Sequence, residues 1–202
     1  MKNEASHIAI IILAAGASTR MGTAKQLLKW QDSTLLESAI DTALKLGTDE
    51  VVVVLGASYD AIKKEIEHYP ITILKNEDWR AGLGKSLACG VNYLLTSSFN
   101  FDGCLVALAD QPFITSIFFK HLIHVFNKKE SSIIATSYKN ETYGVPAVFD
   151  KLYFKELSML NEDKGAKQLL KIHKALVKVL TPEIDNIDLD TIEDYQKYSR
   201  KV

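Results

Sequence analysis

A chain of 202 residues with 47% hydrophobic and 24% charged side chains has the composition of a folded globular protein, which excludes general disorder, and its length suits a single α/β domain over 1–202. A formal net charge of −1 provides no global field to draw in nucleic acid or an anionic membrane, so any anion site has to be local. Lys2 and Glu4 precede no apolar signal core, and no stretch reaches the roughly 18 apolar residues of a membrane span, so a cytoplasmic protein with no nucleic-acid or membrane partner is expected.

The first predicted element is the apolar run from Ile8 to Leu13, short and rich in β-branched residues, as a strand buried on both faces would be. It leads without a polar break into "LAAGASTRMGTAKQ", residues 13–26. Ala14, Ala15 and Gly16 remove side-chain bulk where the backbone must turn out of the sheet, which lets its N–H groups approach a ligand. Arg20 and Lys25 then add two positive charges, and Ser18 and Thr19 add hydroxyl donors; the combination suits a polyphosphate better than a neutral ligand. The alternative is an ordinary βα turn with surface cations. Neither G-x-G-x-x-G nor G-x-x-x-x-G-K-[ST] is present, so the turn is neither a dinucleotide fingerprint nor a Walker A loop.

Thr34-Leu-Leu-Glu37 has capping-box spacing and opens a helical pattern that runs to Leu46 and stops at Gly47. A strand over Val51 to Leu55, a helix over Tyr59 to His68 ended by Pro70, and a strand over Ile71 to Leu74 follow, both strands again read as buried on both faces. Ala81-Gly82-Leu83-Gly84-Lys85-Ser86 opens a helix over about Leu83 to Leu95; Gly82 and Ser86 there either contact a base or merely start the helix.

The strand from Cys104 to Ala109 ends on Asp110-Gln111-Pro112. A carboxylate at the carboxyl end of a central strand faces the cleft of an open α/β sheet, where Mg²⁺ is held by one or two carboxylates, water and phosphate oxygens. The competing role for Asp110 is the N-cap of the next helix, predicted over Ile117 to Phe126. The strand–helix units up to this point make a parallel, doubly wound, Rossmann-like sheet, with a further buried strand over Ile133 to Ala135; the less regular last third, with strands over Val145 to Phe149 and Leu176 to Leu180 and helices over Gly165 to His173 and Thr191 to Tyr198, adds to the same sheet. In the tail, Glu193 and Asp194 are explained by the helix dipole, whereas Asp188 or Asp190 could return to the cleft and complete a metal site with Asp110.

Other chemistry finds little support. Cys89 and Cys104 have no CxxC spacing and read as buried thiols. His121 and His124 lack an HExxH context, and no Ser-His-Asp or Cys-His set can be assembled.

Three stretches together, "LAAGASTRMGTAKQ", "LADQP" and "DLDTIEDY", resemble the MobA-like nucleotidyltransferases, most closely the molybdenum cofactor cytidylyltransferases. "GLGKSLACG", "YGVPAVFD" and "EDKGAKQLL" are similar too, so the resemblance spans nearly the whole chain. It implies a three-layer α/β/α sandwich with a mostly parallel sheet, of the nucleotide-diphospho-sugar transferase type, that binds a nucleoside triphosphate with Mg²⁺. Carried over by position, it assigns Leu13, Ala14, Ala15, Gly16, Ser18, Arg20, Met21, Gly22 and Lys25 to the nucleotide, Gly82 and Ser86 to the base side, and Asp110 with Asp188 to the metal. Lys25, Arg20 and Asp110 are the implied catalytic set. In this family an Ala where guanylyltransferases carry Gly goes with cytosine; Ala15 is that residue and implies CTP. The implied acceptor is the phosphate of molybdopterin, and the implied partner is a molybdoenzyme or cofactor chaperone. Two positions depart from the pattern: Glu162 precedes Asp163 where the family reads GD-x-GA, and Ile192 stands where the tail motif carries Pro. A sugar- or alditol-phosphate nucleotidyltransferase, or a nucleotide-binding regulator without turnover, would share the same cradle.

Overall fold

Ile8–Ala14 forms the central strand, β1, and every one of its residues is buried. Its side chains alternate between two cores, which is what period-2 geometry imposes on a strand covered on both sides. Ile8, Ile10, Ile12 and Ala14 enter one core with Leu36, Ile40, Ile62, Ile66, Phe118, Phe119 and Leu122. Ala9, Ile11 and Leu13 enter the other with Leu87, Val91, Leu94, Phe154, Leu157, Leu169 and Leu170. The computed structural model describes residues 6–126, 132–138, 142–161, 165–183 and 187–199, and the side chain of Arg20 is outside that description. Glu162 and Asp163 lie outside the described residues as well.

The remaining strands are β2 (Lys29–Trp30), β3 (Ser33–Thr34), β4 (Glu50–Leu55), β5 (Thr72–Lys75), β6 (Gly103–Leu108), β7 (Ile133–Tyr138), β8 (Thr142–Asp150) and β9 (Val177–Leu180). The helices are α1 (Leu35–Leu44), α2 (Tyr59–Ile66), α3 (Leu83–Thr96), α4 (Ser116–Val125), α5 (Phe154–Ser158), α6 (Ala166–Ile172) and α7 (Ile192–Ser199). Seven strands form one sheet in the order β5-β4-β1-β6-β8-β7-β9. Helices α1, α2 and α4 cover one face and α3, α5 and α6 the other, giving the expected three-layer sandwich with a mostly parallel sheet.

Within the mostly parallel sheet, β8 pairs antiparallel with both β6 and β7. One expectation needs correction. The strand at 71–74 is not buried on both faces, because Thr72–Lys75 is an edge strand and its residues are only half-buried or exposed. The short hairpin of β2 and β3 and helix α5 carry too few residues to show a period, and sequence reading passed over them. The Thr34–Glu37 capping box is present, with each side chain bonding the other residue's backbone N–H.

The chain travels outward from β1 through β4 to β5, then returns to place β6 on the other side of β1. That reversal opens a crevice beyond the carboxyl ends of β1 and β6, where ligands bind in open α/β sheets. Gly90 sets how closely α3 approaches β1, since a Cβ there would lie 2.8 Å from Ile11 Cγ2.

Candidate active site

The turn after β1 takes its shape from residues behind it. Gln26 is 2% exposed, and its Nε2 donates to the carbonyls of Ala14 at 2.8 Å and Gly16 at 2.9 Å. Ser18 adopts φ 53°, a left-handed conformation, and its Oγ accepts from the Lys25 N–H at 3.1 Å. With those bonds made, Ala14, Ala15, Gly16 and Lys25 line a cleft of about 1040 Å³. Open space surrounds the Cα of Gly16: a Cβ there would meet nothing within 4 Å.

Not all of the expected nucleotide residues reach this cleft. Leu13, Gly82, Ser86, Asp110, Asp188 and Asp190 line it with the turn, whereas Ser18, Met21 and Gly22 are not among its lining residues. Met21 is buried, and Gly22 takes φ 68° at the end of a 3₁₀ turn, so these residues build the loop rather than its open face. Ser86 is 2% exposed at the start of α3, and its Oγ accepts from Asn76 Nδ2 at 3.1 Å. Gly82 caps that helix at φ 106°, a region that favours glycine. Trp79 also lines the cleft, with the Arg80 guanidinium 4.4 Å from its ring centroid.

The cleft floor is a charged network. Asp110 follows β6 directly, and Ala109 N–H bonds the Leu13 carbonyl at 3.2 Å, which brings the ends of β6 and β1 together. Asp110 is not a helix cap, because α4 begins six residues later behind its own cap, Thr115. Lys25 Nζ forms an ion pair with Asp110 Oδ2 and lies 3.4 Å from Asp190 Oδ1. Burial works against the charge on Lys25, but the Asp110 and Asp190 carboxylates outweigh it and hold its pKa above the ordinary lysine value. The lysine is therefore an ammonium. Asp110 Oδ1 is buried without a hydrogen-bond partner among the described residues.

The tail supplies the other two acids. Leu189 N–H bonds the Asp110 carbonyl at 3.0 Å, and its side chain, fully buried, packs with Trp30 and Leu35. That anchor puts Asp188 and Asp190 at the cleft. Desolvation raises the pKa of Asp188, the Gln111 hydrogen bond opposes the rise, and the Asp110 and Asp190 charges add to it. Among the described residues no group of three or more His, Cys, Asp or Glu is arranged to hold a metal by itself. The donor set nonetheless fits a hard cation: an orphaned carboxylate oxygen on Asp110 with a second carboxylate close by leaves further coordination positions for water and phosphate.

Sequence reasoning missed Gln26, Gln111, Lys167 and Lys171. Both glutamines lie inside motifs that were recognised, but nothing local separates a buried glutamine from a solvated one. Lys167 and Lys171 sit four apart on α6 and line the same cleft, a pairing that helical spacing could have suggested.

The family model for the MobA-like NTP transferase domain matches residues 10–179. The chain belongs to that family. It is a nucleotidyltransferase with the family's α/β fold. Its relatives have diverse names. Nicotine blue oxidoreductase of Paenarthrobacter nicotinovorans is 33% identical over 191 residues, covering 91% of this chain and 92% of that protein. Molybdenum cofactor cytidylyltransferase of Escherichia coli (strain K12) is 27% identical over 191 residues, with 94% of each covered. Among solved structures, Rv0371c from Mycobacterium tuberculosis H37Rv superposes with a TM-score of 0.82 at 28% identity, covering 96% of this chain and 98% of that one. A manganese complex of Rv0371c matches with a TM-score of 0.78 at 27% identity, with the same coverage. In this chain no helix among the described residues is long and apolar enough to cross a membrane.

Proposed function

We propose that the enzyme transfers CMP from CTP to a phosphate of molybdopterin and releases pyrophosphate, using Mg²⁺ held by Asp110 and Asp188. The observation that carries this reading is the buried Oδ1 of Asp110, without a hydrogen-bond partner among the described residues, beside the Lys25 ammonium at the strand ends where the small-residue turn opens. A buried anionic oxygen with no donor is costly unless a cation comes to it. The cytosine preference rests on Ala15, and the E. coli cytidylyltransferase relative supports it.

In the reaction, an oxygen of the acceptor phosphate attacks the α-phosphorus of CTP, the bond from that phosphorus to the bridging oxygen breaks, and the electron pair leaves with pyrophosphate. The acceptor is already ionised, so no strong base is required. Backbone N–H groups of the 14–16 turn orient the triphosphate, and Lys25 and Arg20 balance charge on the leaving pyrophosphate. When bound, the metal would neutralise phosphate charge between Asp110 and the nucleotide.

The test is pyrophosphate release from each of the four nucleoside triphosphates in Mg²⁺, with and without molybdopterin. CTP with molybdopterin should be the fastest pair. Equal or faster release from GTP would overturn the cytosine assignment, and turnover with a sugar or alditol phosphate in place of molybdopterin would reassign the acceptor. Redox turnover without pyrophosphate release would give this chain the chemistry named for its oxidoreductase relative.

A further inference from the structure

Gln111 follows Asp110 directly, yet only 5% of its surface is exposed. Its Nε2 donates to Asp188 Oδ1 at 2.8 Å and to the Tyr138 hydroxyl oxygen at 2.8 Å, with the Val145 carbonyl at 3.4 Å. The Tyr138 hydroxyl spends its own proton on that same Val145 carbonyl. Toward Gln111 it therefore presents lone pairs, as does the Asp188 carboxylate, so both neighbours require a donor and the amide orientation is fixed. Reversing the amide would set acceptor against acceptor in a buried place.

The same short segment grips the tail twice. The Asp110 carbonyl accepts from Leu189 N–H at 3.0 Å, and the Gln111 side chain holds the residue before it. The backbone bond alone places the chain but leaves the Asp188 side chain free to rotate; the amide bond removes that freedom. We propose that Gln111 is a positioning residue that holds the Asp188 carboxylate beside Asp110, so that the two together grip a divalent cation. The inference rests on the cation site of the proposed function, and it gives the tail anchor a purpose beyond packing.

Mn²⁺ alone, titrated calorimetrically into nucleotide-free protein, is the probe, and four proteins form a cycle: the parent, Gln111→Leu, Asp188→Asn and the double variant. Gln111→Leu should weaken Mn²⁺ binding about tenfold, the scale expected for a residue that orients a metal ligand. In the Asp188→Asn background the same change should alter affinity by less than about twofold, because the carboxylate through which Gln111 acts is gone. If Gln111→Leu lowers the ligand-free melting temperature enough to disturb the comparison, Gln111→Asn, which keeps a buried amide but is one methylene too short for Asp188, should show the same background-dependent loss. Equal losses in both backgrounds, unchanged affinity in Gln111→Leu, or a parent that does not bind Mn²⁺ would each overturn the proposal. Pyrophosphate release is read separately, so a wrong nucleotide or acceptor would leave this cycle intact, and a flat cycle would leave cytidylyl transfer standing.

Discussion

Lys25 illustrates how one side chain can hold opposite effects. Without ligand its ammonium occupies the carboxylates of Asp110 and Asp190, the groups a divalent cation would need. Lys25→Ala should therefore lower turnover by roughly two orders of magnitude, through lost stabilisation of the leaving group, while Mn²⁺ binding to the nucleotide-free protein becomes tighter. Steady-state kinetics and calorimetry on the same preparation check both signs; unchanged turnover would make this lysine only a structural partner of the acids. Asp110→Asn removes the charge proposed to receive the cation and keeps the size, so it should abolish metal-dependent pyrophosphate release with little loss of ligand-free stability. Asp188 adds a pH signature. Its pKa is raised above the ordinary 3.8, so the folded state holds that proton more tightly than the unfolded state, and this favourable contribution is lost as the pH rises through the raised value. At neutral pH Asp188→Asn should then melt at the same temperature as the parent or slightly higher in the absence of ligand, with the difference vanishing in acid.

Elements set the spacing between these groups. α3 carries Gly82 and Ser86 to the cleft, and Gly90 on the same helix lies against Ile11 of β1. Gly90→Ala gains about 1 kcal/mol of helix propensity, but its methyl would stand 2.8 Å from a methyl of a fully buried, β-branched isoleucine. Overpacking of that kind costs about 1–3 kcal/mol, so the variant should melt below the parent. A higher melting temperature would mean that α3 can lift off β1 without cost. The cap of α1 was readable from Thr34 and Glu37 because both partners lie within one helical turn. The antiparallel direction of β8 was not, because it is decided by pairing with β6 and β7 inside the sheet, not by the apolar run itself.

At the scale of the whole molecule, the cleft joins parts that are far apart in sequence: the turn after β1, the end of β6, the start of α3, helix α6 and the tail. A ligand that bridges them stabilises the folded state by binding linkage, about 2.7 kcal/mol at a ligand concentration of 100 Kd. CTP with Mg²⁺ should therefore raise the melting temperature more than GTP with Mg²⁺ does, and an equal or larger rise with GTP would remove the case for cytosine. Ala15→Gly should narrow the difference.

The sequence by itself determined the layers and the chemistry of the parts. Short unbroken β-branched runs read as strands, the helical patterns between them impose crossovers, and a small-residue turn with two cations after a strand suits phosphate wherever it sits. Only the tertiary structure decided which of those parts meet. Lys25 and Asp110, 85 residues apart, form their ion pair because the strand order places β6 beside β1. Asp188 and Asp190 arrive because Leu189 is buried with Trp30 and Leu35 and bonds the Asp110 carbonyl. Gln111 became significant once Tyr138 and Asp188 were seen to require the same amide. The physical reason is range: periodicity, caps and turns act within a few residues, whereas strand order, tail docking and buried hydrogen-bond partners are settled by packing across the whole chain.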